Sequence, residues 1–384
     1  MKQREATKQC EAMKQGLEGV IAASTKLSAV DGEAGRLTLA GYAVEDLAPR
    51  ATFEEAVYLF LNGRLPTEQE RNTIKRDLAE RRALPAVAVG VLGEAARSNA
   101  PPMDALRMAA GILGLGRTED PLEDPLSDAL TAIAGFPAII GAYWRFRSGL
   151  QPVEVRRDLS HAAHYLHQLT GEEPPKERAR ALETYLITVC DHGFNASTFA
   201  ARVIVSTQSD VLSAIVGAVG ALKGPLHGGA PGPALNTVFE IGSADRAESV
   251  LRAKLDRGER LMGFGHRIYR VRDPRADVLG KAAERFYTHG GDMHLYELAR
   301  SVESTALRLL REYKPDRRLD TNVEFYTALL LHGIGLPVDL FTPTFAVGRV
   351  LGWSAHCLEQ LREGKLIRPQ SEYVGPTGLE FRAA

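Results

Sequence analysis

Cysteine is scarce in this chain: three residues in 384, Cys10, Cys190 and Cys357, far apart and without a C-x-x-C pair. That spacing builds neither a disulfide framework nor a cysteine zinc site, and it fits a reducing cytoplasm. Charge of one sign is equally lacking. With 47 basic and 48 acidic residues the formal net charge is -1, which argues against a global basic field for nucleic acid. The strongest apolar stretches, 136–144 and 211–222, fall short of the ~20 residues that a membrane-spanning helix needs. The first fifteen residues mix Lys2, Arg4, Lys8 and Lys14 with Glu5 and Glu11 and have no apolar run. They read as a frayed arm rather than a secretory signal or transit peptide.

Strand punctuation is sparse as well. A small hairpin, 20–27 and 36–39 about the Asp31-Gly32 turn, is the one β signal in a sequence otherwise punctuated for helices. Thr52-Phe53-Glu54-Glu55 and Thr67-Glu68-Gln69-Glu70 both have the capping-box form, in which hydroxyl and carboxylate satisfy the free amides of a helix start. The first of these helices, 53–61, stops at Asn62-Gly63. Further helical segments are expected at 128–147, 153–169, 175–189, 210–222, 244–257, 275–287, 295–312, 323–332 and 343–361. The expected class is all-α, without the strand–helix alternation of a dinucleotide-binding fold and without internal repeats. A length of 384 residues implies roughly two domains, and 45% apolar with 25% charged residues is ordinary for a globular enzyme.

What the chain does have is two histidines in small, flexible surroundings, Pro225-Leu226-His227-Gly228-Gly229-Ala230 and Met262-Gly263-Phe264-Gly265-His266-Arg267. Glycine beside histidine lets the backbone approach a ligand and lets a segment open and close. From 254 to 275 seven cations (Lys254, Arg257, Arg260, Arg267, Arg270, Arg272, Arg275) stand against three anions (Asp256, Glu259, Asp273). The natural complement is an anion held by arginine and glycine backbone, with a solvated face as the plainer account. Their mutual repulsion implies a segment that moves until an anion arrives. His161, His164 and His167 sit three apart, which suggests metal ligands, but no carboxylate or cysteine of ligand spacing accompanies them. They read as a packed helical stripe, and His289, His294, His332 and His356 as packed or solvated. No metal is expected.

Nine strings from residue 16 to 369 resemble citrate synthase in order and spacing: G-L-E-G-V-I-A-A at 16–23, D-G-x-x-G-R-L at 31–37, H-G-F-N-A-S-T-F at 192–199, G-P-L-H-G-G-A at 224–230, M-G-F-G-H-R-I-Y at 262–269, D-P-R at 273–275, N-V-E-F-Y at 322–326, F-T-P-x-F-A at 341–346 and L-I-R-P at 366–369. The resemblance implies a dimeric, nearly all-helical enzyme. Its large domain would comprise 1–227 and 334–384, and a small domain, 228–333, would close over the substrates. It implies an acyltransferase that condenses acetyl-CoA with oxaloacetate through an enolate and hydrolyses the thioester, with no metal or redox cofactor.

By the same resemblance His227 is the donor to the enolate oxygen, Glu324 the base and His266 the donor that polarises the ketone. His192, Arg275 and Arg349 would bind oxaloacetate, and Arg368 would reach the partner subunit's site. Arg270 would contact CoA phosphate, Met262, Gly263, Phe264 and Gly265 would read its adenine, and Asn322 would meet the pantetheine arm. The same constellation implies 2-methylcitrate synthase as the alternative, with propionyl-CoA as substrate, and a silent binding protein if the base has been lost. The chain departs from the family in two places. Glu324 stands where the family usually has aspartate, and Pro231-Gly232-Pro233 stands where it usually has Asn-Glu. Proline suits a first helical turn, so the second change reads as a different helix start.

Overall fold

The computed structural model describes residues 15–17, 19–117, 120–228, 231–266 and 268–381. Cys10 and the N-terminal arm lie outside them. Among the described residues the strands are β1 (Ser28–Asp31), β2 (Arg36–Leu39) and β3 (Tyr42–Ala43), antiparallel in the order β1-β2-β3. The helices are α1 (Val44–Leu47), α2 (Phe53–Asn62), α3 (Glu68–Glu80), α4 (Ala86–Arg97), α5 (Pro102–Ala110), α6 (Pro125–Arg147), α7 (His161–Thr170), α8 (Lys176–Thr188), α9 (Ala196–Val205), α10 (Val211–Leu222), α11 (Pro225–Gly228), α12 (Pro231–Ile241), α13 (Ala247–Asp256), α14 (Pro274–Thr288), α15 (Met293–Tyr313), α16 (Val323–Gly333) and α17 (Phe341–Glu363). The all-α expectation holds.

Both capping boxes form. Thr52 and Thr67 each accept the amide of the glutamate three residues on, and Glu55 and Glu70 reach back to the threonine amides. Gly63 then ends α2 in the left-handed conformation, φ 73°. Pro233 lies in the first turn of α12, as its fixed φ favours.

Three expectations change. The segment 20–27 is not a strand, because β1 begins only at Ser28, where the alternating burial of a half-covered strand sets in. The helix expected at 153–169 begins at His161. Ser160 caps it by accepting the Ala163 amide, while Arg82 donates to the carbonyls of Arg156 and Leu159 and satisfies them outside any helix. Helices α4, α5 and α9 lie where the sequence reading placed none. Two of them open on Pro85 and Pro101, which lack the side-chain cap that marks a start, and the third opens on Asn195 inside the H-G-F-N string.

Helix α6 is longer than its apolar run suggested: 23 residues, long and apolar enough to cross a membrane by length and composition alone, with 83% of its apolar window buried inside the protein. It packs against α4, α5, α7 and α17 and forms the centre of one helical layer. Helix α8 touches α7 and α17 of that layer and also α14, so α14 and its partner α16 stand against the central helices. The starts of α9, α14 and α16 and the middle of α17 carry residues of the site.

The α7 histidines are packed. His161 and His164 are fully buried with no hydrogen bond to either ring nitrogen, and His161 stacks on Phe53 at 4.4 Å between ring centroids. Burial, with Arg82 nearby, pulls them from 6.5 to about 3 and about 2. Because folding lowers their proton affinity, the unfolded chain protonates first as pH falls below 6.5, and stability is lost from there down through the folded values. His161→Phe keeps the stack and removes one titration. Urea unfolding between pH 6 and 4 should therefore show a stability slope shallower by about 1.4 kcal/mol per pH unit. An unchanged slope would mean that His161 is not held neutral by the fold.

Candidate active site

The loop of 262–266 is fixed to the start of α16 by backbone pairing. The Gly265 amide donates to Asp320 O at 2.8 Å, the Asn322 amide donates to Gly263 O at 2.9 Å, and Phe264 bridges Thr321. Gly263 (φ 91°) and Gly265 (φ 79°) take left-handed conformations that a side chain would strain. The Asn322 side chain completes the joint, donating to Gly265 O at 2.8 Å and accepting the Glu324 amide at 3.0 Å as the cap of α16. Both polar ends of Asn322 are thus engaged within the protein.

Glu324 follows in the first turn of α16, where the helix N-terminus favours a carboxylate. Burial raises its carboxyl above the usual range against the pull of Arg275; Asp273 also raises it and Arg260 lowers it. Among the described residues no hydrogen bond engages that carboxylate.

His266 Nδ1 accepts the amides of Ile268 (3.0 Å) and Tyr269 (3.2 Å), which puts the ring proton on Nε2. Burial, then Arg275, hold this imidazole at about 4, so it is neutral at pH 7. Its Nε2 lies 3.3 Å from Arg275 Nη2. Both groups are donors, so this contact is two N–H groups converging on one region rather than a hydrogen bond between them. A carbonyl or carboxylate oxygen is the complement.

His192 stands beside this pair, its ring 5.7 Å from that of His266 and its Nε2 3.1 Å from Tyr269 Oη. Burial, with the cations Arg275 and Arg349, holds it well below the ordinary histidine value. Arg349 projects from α17, 2% exposed, with Nε donating to Val189 O at 2.7 Å and its guanidinium 4.5 Å from the centre of the Phe345 ring. Burial brings it down to about 10, against the pull of Asp191, and it remains charged at neutral pH.

Arg349 also acts on His227, which burial brings to about 4. His227 lies on the short α11, Nε2 2.8 Å from Ser197 Oγ. That hydroxyl is 2.8 Å from Asn195 Oδ1 as well and accepts the Trp353 indole N–H at 3.0 Å, so its single proton serves either Asn195 or His227.

The structure thus gathers His192, His266, Arg275, Arg349 and Glu324, and joins His227 to them through the field of Arg349. Arg270 is exposed, on the loop whose backbone N–H pairs with Gly32 O at 2.9 Å. Arg368 stands apart. The amide of Ile367 is held by Ser206 at the end of α9, about 15 Å along that helix from Asn195. The cation excess of 254–275 shrinks in three dimensions, which corrects the repulsion expected from the sequence. Lys254 pairs with Glu240, Arg257 with Glu259, Arg272 with Asp277 and Glu303, and Arg275 with Asp273. Arg267 lies outside the described residues.

Sequence reasoning missed the supporting polar residues. Asp191, fully buried, takes hydrogen bonds from Ser28 and from His356, whose other nitrogen faces Arg202. Asn195, Ser197, Trp353 and Tyr269 were also unassigned. The available signal was polar residues inside or adjoining the motif strings, beside positions already marked as chemical. His356, expected to be packed or solvated, is packed, with no exposure.

The family model described as "Citrate synthase, C-terminal domain" matches residues 16–370. This chain belongs to the citrate synthase family. It is 41% identical to citrate synthase 2 of Bacillus subtilis, over 95% of this chain and 97% of that one, and 39% identical to the 2-methylcitrate synthase of Shewanella oneidensis, over 94% of each. Among solved structures it resembles citrate synthase from Thermotoga maritima (TM-score 0.82, 38% identity, 96% of this chain and 98% of that one) and the Thermoplasma acidophilum enzyme in ternary complex with carboxymethyl coenzyme A and oxaloacetate (TM-score 0.85, 33% identity, 96% and 97%). The family is one of acyltransferase enzymes.

Close backbone approach fixes the position of Gly228, next to His227. A Cβ on Gly228 would lie 2.2 Å from Leu222 O, while the Gly228 carbonyl accepts Thr342 Oγ1 at 2.8 Å. Gly228→Ala must shift α11 and with it His227, and displacements of about 1 Å at a reacting group cost on the order of 100-fold in rate. We expect steady-state thiol release to fall by about that factor with Tm within a few degrees of wild type. Wild-type turnover in this variant would show that α11 tolerates the shift.

Proposed function

We propose that this protein is a citrate synthase that condenses acetyl-CoA with oxaloacetate and hydrolyses the resulting thioester, working in the cytoplasm as a homodimer with shared sites. The observation that carries the reading is the convergence of the His266 Nε2–H and the Arg275 guanidinium on one region beside His192. A ketone oxygen facing His266 and a carboxylate facing Arg275 are what a 2-oxodicarboxylate supplies, and Arg349 supports a second anionic contact. Neutral imidazoles suit the task, since they donate without repelling the arginines.

The methyl of a thioester is very weakly acidic, so its removal needs a base and a donor acting together. Glu324 is the base. Burial raises its carboxyl, which makes it a stronger base, and Arg275 opposes that rise. His227 is the donor to the developing enolate oxygen. For that role its proton must sit on Nδ1, so Ser197 must donate to Nε2 and release Asn195. The enolate carbon then attacks the ketone polarised by His266, and water cleaves the thioester. The loop of 262–266 and Arg270 serve CoA, and residues 228–333 form the small domain that closes on it. The Thermoplasma complex, with carboxymethyl coenzyme A and oxaloacetate bound together, supports the substrate pair.

Oxaloacetate-dependent release of free thiol from acetyl-CoA tests the reading, with propionyl-CoA expected to react more slowly. A higher kcat/KM for propionyl-CoA assigns 2-methylcitrate synthesis instead, and oxaloacetate binding without thiol release assigns a binding protein. Glu324→Gln should lose most of kcat with little change in oxaloacetate affinity, and full activity would remove Glu324 from the mechanism.

Arg368 completes the site of the partner subunit. Its distance from this chain's own site residues and the exposed extended segment that carries it support that role. Arg368→Ala and His266→Ala should each be nearly inactive alone, yet subunit exchange between them should restore roughly a quarter of wild-type activity. About half of the dimers would be mixed, each with one intact site of two. No recovery after confirmed exchange would refute the shared site.

A further inference from the structure

Asp273 does more than cap α14. It is 1% exposed and receives four N–H groups: Oδ1 accepts the Arg275 backbone amide and the Arg275 Nε–H, each at 3.0 Å, and Oδ2 accepts Arg275 Nη2–H at 2.7 Å and, at 3.3 Å, the amide of Val323, the first residue of α16. Four donors fill the lone-pair sites of a carboxylate. Holding Nε and Nη2 together occupies one edge of the guanidinium and stops the fork from turning. Among the described residues, what Asp273 leaves outside its grip is Nη1 and the outer hydrogen of Nη2, the nitrogen that faces His266.

We propose that Asp273 is a positioning residue for the reaction: a single buried carboxylate dictates which edge of Arg275 meets the substrate and locks the start of the helix bearing Glu324 to that arginine. The inference rests on the roles given to Arg275 and Glu324 above. Beyond the packing of α14 on α16, this side chain ties the two helix starts together, since the Val323 and Arg275 amides share it. Asp273 also sets the charge balance around the base. The charged groups acting on Glu324 are Arg275 and Asp273 at the start of α14 and Arg260 in the preceding loop; Asp273 raises the carboxyl and the two arginines lower it. On His266, too, Asp273 opposes Arg275.

Asp273→Asn tests this, because asparagine keeps the helix cap and the size while removing the charge and turning one acceptor into a donor against Arg275 or Val323. The expected result has two parts. KM for oxaloacetate rises at least about tenfold with KM for acetyl-CoA within about twofold, as a misaligned carboxylate clamp requires. The acid limb of kcat/KM for acetyl-CoA at saturating oxaloacetate moves to lower pH, because Glu324 has lost the neighbour that raised it and now ionises at lower pH.

A merely structural residue would reduce activity without moving that limb. Asp273→Ser, also a good cap without charge, should move the limb in the same direction. The proposal is overturned if the limb stays in place, if KM for oxaloacetate stays within about twofold, or if both variants fail to fold, which would assign Asp273 to folding alone. Glu324→Gln, assayed alongside, separates the two levels. Full activity there refutes the base assignment itself, whereas an inactive Glu324→Gln with an unmoved limb in Asp273→Asn refutes only the role of Asp273.

Discussion

Two guanidinium groups buried beside three imidazoles impose the constraint on which this site is built. Arg275 and Arg349 are 4% and 2% exposed. Taking a charge out of water costs several kcal/mol even after relaxation, so each needs compensation that leaves its ligand-facing edge free. Arg275 has Asp273 in direct contact, and burial is overcome so that its guanidinium is held above its ordinary value. Arg349 has a carbonyl, an aromatic face and the more remote Asp191, and burial prevails. The histidines follow from the same cause. Burial and the arginines hold His192, His227 and His266 neutral, so positive charge in the site resides on the arginines alone.

Compensation is delivered by helix ends, which makes the fold and the site one construction. Asn195 caps α9 and shares Ser197 with His227; Asp273 caps α14 and clamps Arg275; Asn322 caps α16 and ties the glycine loop beneath His266 to the helix of Glu324. Each cap satisfies amides that every helix start leaves open, so the side chains needed for helix formation also set the geometry of the reacting groups. Asn195, Arg275 and Glu324 come together from the starts of α9, α14 and α16, and Arg349 and Trp353 reach them from the middle of α17.

How much of this was visible beforehand follows from what each residue needs. The capping boxes at Thr52 and Thr67 were readable because both partners lie within four residues. The helical class was readable from punctuation alone. His227 and His266 stand out by the glycines beside them, and His192, Arg275 and Glu324 by the resemblance of their strings to citrate synthase. Asp191 and Trp353 do not, because their contacts with His356 and Ser197 are made across more than one hundred and fifty residues, and Ser197 does not, because its partner His227 lies in another string. The expected repulsion among the cations of 254–275 failed because the carboxylates that neutralise two of them, Glu240 at Lys254 and Asp277 with Glu303 at Arg272, lie outside that window.

The longer carboxylate at position 324 can now be placed in physical terms. Where the family usually has aspartate, glutamate adds one methylene, and a fixed backbone would carry the charge about 1 Å further, enough to matter for proton transfer. The backbone has little freedom to retreat. The Val323 amide is held by Asp273, the Glu324 amide by Asn322, and the Asn322 amide by Gly263 O. The start of α16 is therefore tied at three successive residues to the loop and to Arg275. The extra length has to be absorbed by the rotamer of Glu324, within reach of the Arg275 field that lowers its carboxyl, or by the depth at which the thioester sits. On the proposed function both routes act on the acyl methyl and leave the contacts of Arg275 alone, because Arg275 is oriented by Asp273 whatever occupies position 324.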